Sequence, residues 1–231
     1  MKIIFLFLIT ISFLFSIEIF DVTNKNAKID MANITVGSSG IIVRKVNNNY
    51  IILTQAIVTK SDDINTTIKF IDKQIIPQDS IPTSKIKPSN GDDFILNHLY
   101  NTSLLIVPNI EAKNELLKLY PKHNFLNEDF FAAHLKVIDT PLPTKKIISQ
   151  FTQSQEIGTI FLVIKNKLYI IDTLTFKIID TQDLQYNNTT TNVPFFTKVR
   201  DIKKGFWNFG PEKIKNYNKY YLKLIGKDDD R

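Results

Sequence analysis

From Gly40 to Asn109 the chain is a run of short apolar segments divided by turn residues, and no other feature restricts the fold so tightly. "GIIVRKV" (Gly40 to Val46) leads through an asparagine turn into "YIILTQAIVTK" (Tyr50 to Lys60). "SDD" turns the chain again, and "NTTIKFID" (Asn65 to Asp72) alternates polar and apolar residues. A period of two marks strands with one buried face, so these three segments predict a meander. Pro77, Pro82 and Pro88 then punctuate an extended connection, because proline lacks the N–H that a central strand must donate. Asn90-Gly91 is a turn dipeptide, since glycine accepts positive φ without strain. "DFILNHLY" and "SLLIVPN" flank Asn101-Thr102 and read as a hairpin. Strands this short and this closely spaced predict a small antiparallel barrel or sandwich over residues 36–109.

Beyond Pro108 the period changes. "EAKNELLKLY" sets Leu116, Leu117 and Tyr120 at helical spacing, with Pro121 just past the end. "NEDFFAAHLKV" predicts a second helix, capped by Asn127 with Glu128 and Asp129 in the first turn. Pro141 and Pro143 mark a boundary, and "TKKIISQFTQS" predicts a third helix. "TIFLVIKNKLYIIDTLTFKIID" reads as three strands turning at Lys165-Asn166 and around Asp172 to Leu174. The final helix is expected to open at Gly210-Pro211 and stop at Gly226, the favoured proline-start, glycine-stop arrangement. Its apolar stripe is Ile214, Tyr217, Tyr221 and Leu224. The fold class is therefore α+β. Residues 17–35 read as a lead-in, 36–204 as the main domain and 205–231 as an amphipathic helix with a charged tail. Within the main domain, 36–109 form a β-rich half and 110–204 a mixed half.

The first residues, "MKIIFLFLITISFLFS", combine Lys2 with an apolar run shorter than a comfortable membrane span. They predict a secretory signal peptide over residues 1–16, cut near Ser16, and hence an exported protein at the cell surface or in the periplasm. The chain of 231 residues has no cysteine, which excludes disulfides, thiolate metal sites and a cysteine nucleophile. The formal charge is +6; removing Lys2 with the signal leaves 28 basic against 23 acidic side chains, or +5. So small an excess is not a nucleic-acid signature, and anionic surfaces or acidic proteins are the better-matched partners.

No recognisable catalytic constellation is present. His98, His123 and His134 are far apart in sequence and lack metal-ligand spacing. Asp92-Asp93 and Glu128-Asp129 are adjacent carboxylates suited to a turn and a helix N-terminus. Ser38 and Ser39 in "VGSSG" read as a flexible strand entry rather than a nucleophile. No nucleophile-elbow, zinc-protease, phosphate-loop or dinucleotide motif occurs, so a non-enzymatic protein without a cofactor is expected. "KVRDIKKGFWNFG" mixes basic and aromatic residues that suit either an anionic partner or packing of the final helix. "DINTT" (Asp63 to Thr67) fits an acidic-x-Asn-x-Thr sequon, which makes Asn65 a possible glycosylation site.

Five segments, in order, carry a resemblance: "VGSSGIIV" (Val36 to Val43), "PSNGDDFILNHLYNTSLLIVPN" (Pro88 to Asn109), "NEDFFAAHL" (Asn127 to Leu135), "LYIIDTLTFKII" (Leu168 to Ile179) and "PFFTKV" (Pro194 to Val199). Together they resemble the N-terminal domain of the plasminogen-binding surface proteins of spiral, mucosa-colonising bacteria. The resemblance implies an exported, surface-associated protein that captures host plasminogen through its lysine-binding kringle sites. Such a site receives an ammonium on a short apolar stem, which an exposed lysine supplies. Family members continue into a long charged region, whereas this sequence ends at Arg231. Lys213, Lys215, Lys219, Lys223 and the terminal Arg231 are the candidate partner-binding residues. Two other classes stay open: a periplasmic envelope structural or assembly module without a host ligand, and an exported hydrolase.

Overall fold

In the computed structural model, which describes residues 16–47, 49–71, 86–202 and 213–227, the alternating segments pair as the period of two requires. Strands β1 (Ser16–Phe20), β2 (Asn26–Ile29), β3 (Ser39–Val46), β4 (Asn49–Ser61), β5 (Thr66–Ile71) and β6 (Asp93–Leu96) close into a barrel. Their order around the barrel is β1-β2-β5-β4-β3-β6, and every pairing is antiparallel. Inward-facing Ile19, Ile29, Ile42, Ala56, Val58, Ile68 and Phe94 fill the interior. Register shifts at Ile42/Val43 and at Val58/Lys60 bend the long strands, as closure demands.

Two features of this barrel correct the sequence reading. The stretch read as a lead-in contributes β1 and β2, and β1 closes the barrel by pairing Ser16 with Ile95 and Ile17 with Phe94. Elements of five and four residues carry too little periodicity to stand out locally; their stability comes from distant partners. The second correction concerns the expected hairpin. Its first arm, β6, lies in the barrel between β1 and β3, while its second, β7 (Thr102–Ile106), lies in another sheet. Phe94 needs a single covered face, but Leu104, Leu105, Ile106 and Val107 are all buried, which requires covering layers on both sides. The signal-peptide reading falls on residues 1–15 outside the described ones, with Ser16 already in β1. Pro77 and Pro82 also lie outside the described residues.

The second sheet has the order β11-β10-β9-β7-β8, with β8 (Asn124–Leu126), β9 (Thr159–Ile164), β10 (Lys167–Asp172) and β11 (Ile178–Asp183). Strand β7 runs parallel to β8 and β9, and β9, β10 and β11 form an antiparallel meander. Helix α1 (Ile110–Leu119), capped by Asn109, crosses from β7 to β8 and covers one face through Ala112 and Leu116. Helices α2 (Glu128–Val137), α3 (Lys145–Ser154) and α4 (Tyr217–Leu224) cover the other face. Successive side chains of β7 point to opposite faces, so Leu104 and Ile106 meet one helical layer and Leu105 and Val107 the other. Central β9 is buried at all six positions for the same reason. The fold is α+β: a closed barrel followed by a mixed sheet between helical layers.

Candidate functional site

Helix α4 starts later than its proline signal suggests. Asn216 caps it by accepting the Lys219 N–H at 2.9 Å, and residues 213–216 precede the helix. Gly210 and Pro211 lie outside the described residues. The glycine stop is where the sequence puts it: Gly226 has φ +75°, its N–H donates to Lys223 O, and the Lys227 N–H donates to Leu222 O. That pair of bonds is a Schellman ending.

The helix is docked. Ile214, Tyr217, Tyr221 and Leu222 are buried against the sheet, with Leu224 half-buried beside them. The Tyr217 hydroxyl donates to Val163 O at 2.8 Å, and the Tyr221 hydroxyl donates to Pro194 O at 2.8 Å. Lys213, Lys215, Lys219 and Lys223 are all exposed. Lys213 and Lys215 flank buried Ile214, and Lys219 and Lys223 stand one turn apart on the face opposite Tyr217 and Tyr221. None of the four pairs with a carboxylate among the described residues. Arg231 and the aromatic stretch Phe206–Phe209 lie outside the described residues.

Asn65 sits, half-buried, in the turn joining β4 to β5, where its N–H donates to Asp62 Oδ1 at 3.0 Å. Thr67, which completes its sequon, is already in β5. Three of the adjacent carboxylates, Asp92, Glu128 and Asp129, have structural partners. Asp92 is buried and clamped by the Arg44 guanidinium, Nε to Oδ1 at 2.6 Å and a second nitrogen to Oδ2 at 2.7 Å. Burial pushes its carboxyl up, but Arg44 and the Ser89 N–H outweigh that and hold it below the usual carboxylate range. Glu128 is buried and accepts both contacts from Lys113 Nζ, at 2.7 and 2.8 Å. Asp129 accepts from the Thr197 hydroxyl and the Lys198 N–H, tying the chain after Phe196 to α2.

The histidines do not converge, and among the described residues no three metal-ligating side chains gather. His123 Nε2 lies 2.7 Å from Ser103 Oγ, a separation that suits a nucleophile and its base. Ser103 is fully buried, its hydroxyl also meets Thr159, and Tyr120, Phe125 and Phe161 pack around the imidazole. A substrate carbonyl has no route to that oxygen. Burial pushes the His123 imidazole below its ordinary pKa, so it is a neutral member of an aromatic cluster.

The sequence did not foretell the polar junction between barrel and sheet. Asp172, fully buried at the end of β10, accepts the Ser39 hydroxyl at 2.5 Å, the Tyr100 hydroxyl at 2.7 Å and the Thr175 N–H at 2.7 Å. The Thr175 hydroxyl donates to Gly37 O at 2.7 Å. Burial, then the Asp172 charge, push the Tyr100 phenol well up, which keeps it a donor. Beside this network lies a cleft of about 70 Å³ lined by Gln55, His98, Gln153, Glu156 and Leu174 among others, with room for roughly two waters. Burial lowers the His98 pKa, partly opposed by Glu156, and its Nδ1 is buried without a hydrogen-bond partner among the described residues. A single carboxylate in the otherwise apolar "LYIID" was the one local sign of this junction.

Fold and surface together describe an α+β scaffold whose cleft is small and which carries four exposed lysines on and just before one docked helix. The chain belongs to the family described as "Plasminogen-binding protein pgbA N-terminal", which matches residues 15–225. Two proteins named "Plasminogen-binding protein PgbA", from two strains of Helicobacter pylori, are each 26% identical to it over 216 residues. These alignments cover 92% of this chain and 47% of each relative, so the chain spans about half the length of the curated relatives it matches. No solved structure matches it.

Proposed function

We propose that this protein is an exported, non-enzymatic binding protein that captures plasminogen through exposed lysines on and just before α4. The observation that carries the reading is the fixed helix with Lys213, Lys215, Lys219 and Lys223 turned to solvent, unpaired with any described carboxylate. A lysine-binding pocket takes an ammonium on an apolar stem, and a lysine held on a docked helix offers that group at low ordering cost. Family membership supports the partner, since the relatives are named for plasminogen. The apolar leader after Lys2 supports export. The sealed Ser103–His123 pair supports a non-catalytic role.

The test is binding of the purified chain to immobilised plasminogen, with and without a soluble lysine analogue. The expected result is saturable binding that the analogue abolishes, and that charge reversal of the four lysines also abolishes. Binding that persists undiminished after charge reversal would sink the assignment of these lysines. Absent binding would favour an envelope structural or assembly module instead.

A further inference from the structure

We propose that the lysine face of α4 and its approach is also a docking surface for a linear sulfated polysaccharide. Five lysines and no acid occur from Lys213 to Lys227, with Glu212 directly before them and Asp228, Asp229 and Asp230 directly after. Such a cluster of like charge attracts polyanions. Lys213 and Lys215 emerge on either side of buried Ile214, and Lys219 and Lys223 follow up the helix, the last two about 6 Å apart along its axis. The backbone beneath them is held by the buried Tyr217 and Tyr221 and by the Asn216 cap, so little order is lost when a chain of sulfates lies across it.

The geometry favours a soluble linear polyanion over a lipid surface. A helix that lies in a membrane interface needs a free apolar face to insert. Here that face is occupied, since Ile214, Tyr217, Tyr221 and Leu222 are buried in the protein. Ammonium groups are compact point charges that suit sulfate oxygens without requiring bidentate geometry. This recognition goes beyond plasminogen capture, because it needs several lysines at once and no lysine-binding pocket in the partner.

The probe is heparin, titrated calorimetrically into the purified full chain at increasing sodium chloride. Saturable binding is expected, weakening with salt along a log–log line as counterions are released. The fourfold variant Lys213→Gln, Lys215→Gln, Lys219→Gln, Lys223→Gln is expected to bind more than about tenfold more weakly, with a shallower salt slope. A charge-matched variant carrying glutamine at Lys45, Lys69, Lys122 and Lys146, all exposed, is expected to keep wild-type affinity. Thermal melts of both variants should match wild type, since none of the eight side chains is buried. A soluble lysine analogue should leave heparin binding intact, which separates this result from the plasminogen test. No binding at low salt, an equal loss in the charge-matched variant, or binding to anionic vesicles without binding to heparin would overturn the proposal.

Discussion

The Tyr100 hydroxyl donates to Asp172 Oδ2 at 2.7 Å and joins the turn after β6 to the end of β10. With the Ser39 hydroxyl on the same oxygen, it couples the barrel to the sheet through one buried carboxylate. Three of the segments that carry the family resemblance meet here: Ser39 from "VGSSGIIV", Tyr100 from "GDDFILNHLYN" and Asp172 from "LYIIDTLTFKII". Together their side chains hold the barrel against the second sheet. Tyr100→Phe removes one donor from a buried carboxylate, and a loss of about 1.5–3 kcal/mol is expected. Urea unfolding reads it as a lower midpoint. Ser39→Ala combined with Tyr100→Phe should be non-additive, because both hydroxyls serve the same oxygen.

Arg44→Met leaves Asp92 buried without its guanidinium, and a cost of about 3–5 kcal/mol is expected. Replacing both residues with apolar ones should cost less, because no uncompensated charge remains. The pH dependence has a defined sign. The folded Asp92 carboxyl lies below its unfolded value of about 3.9. Its stabilisation is fully present above that value and is lost as pH falls through the lower folded one. The stability difference between wild type and Asp92→Asn, measured from pH 5 downward, should shrink accordingly.

His98 and His123 act at milder pH. Burial lowers both imidazoles in the folded state, so the unfolded chain takes up protons first as pH falls. Stability should decline below about pH 6.5, the ordinary histidine value, until the folded imidazoles also protonate. Thermal unfolding from pH 8 to 5 measures the decline. His123→Gln should flatten it, and an unchanged slope in that variant would place the protonation elsewhere.

Gly158→Ala tests the packing of the junction. A Cβ there would lie 2.4 Å from the carbonyl carbon and oxygen of Leu99, both backbone atoms that cannot swing aside. Gly158 N–H also donates to Leu99 O at 3.1 Å, so relief of the clash would break the contact. A destabilisation of at least about 1–3 kcal/mol is expected. At Gly226, where an added Cβ would meet no described heavy atom within 4 Å, the same substitution meets only the strain of φ +75°, and the smaller loss should appear as fraying of α4.

The sequence by itself determined the local elements, because their signals are local. Alternation marked β3, β4 and β5, and Asn127 and Thr144 sat where they cap α2 and α3. The stripe Ile214, Tyr217, Tyr221 belonged to a docked face, and Gly226 ended its helix. Tertiary structure decided which elements meet. Residues 16–20 became a barrel strand by pairing with β2 on one side and with β6, more than seventy positions away, on the other, and β6 parted from β7 because two different cores claimed them. The junction at Asp172 was illegible for the same reason: Ser39, Tyr100 and Asp172 are ordinary residues in their own segments, and only closure of the barrel against the sheet brings their oxygens within hydrogen-bonding distance. The lysines were visible as charges from the start, but their rigid presentation depends on a helix whose buried face is completed by β9 and Pro194.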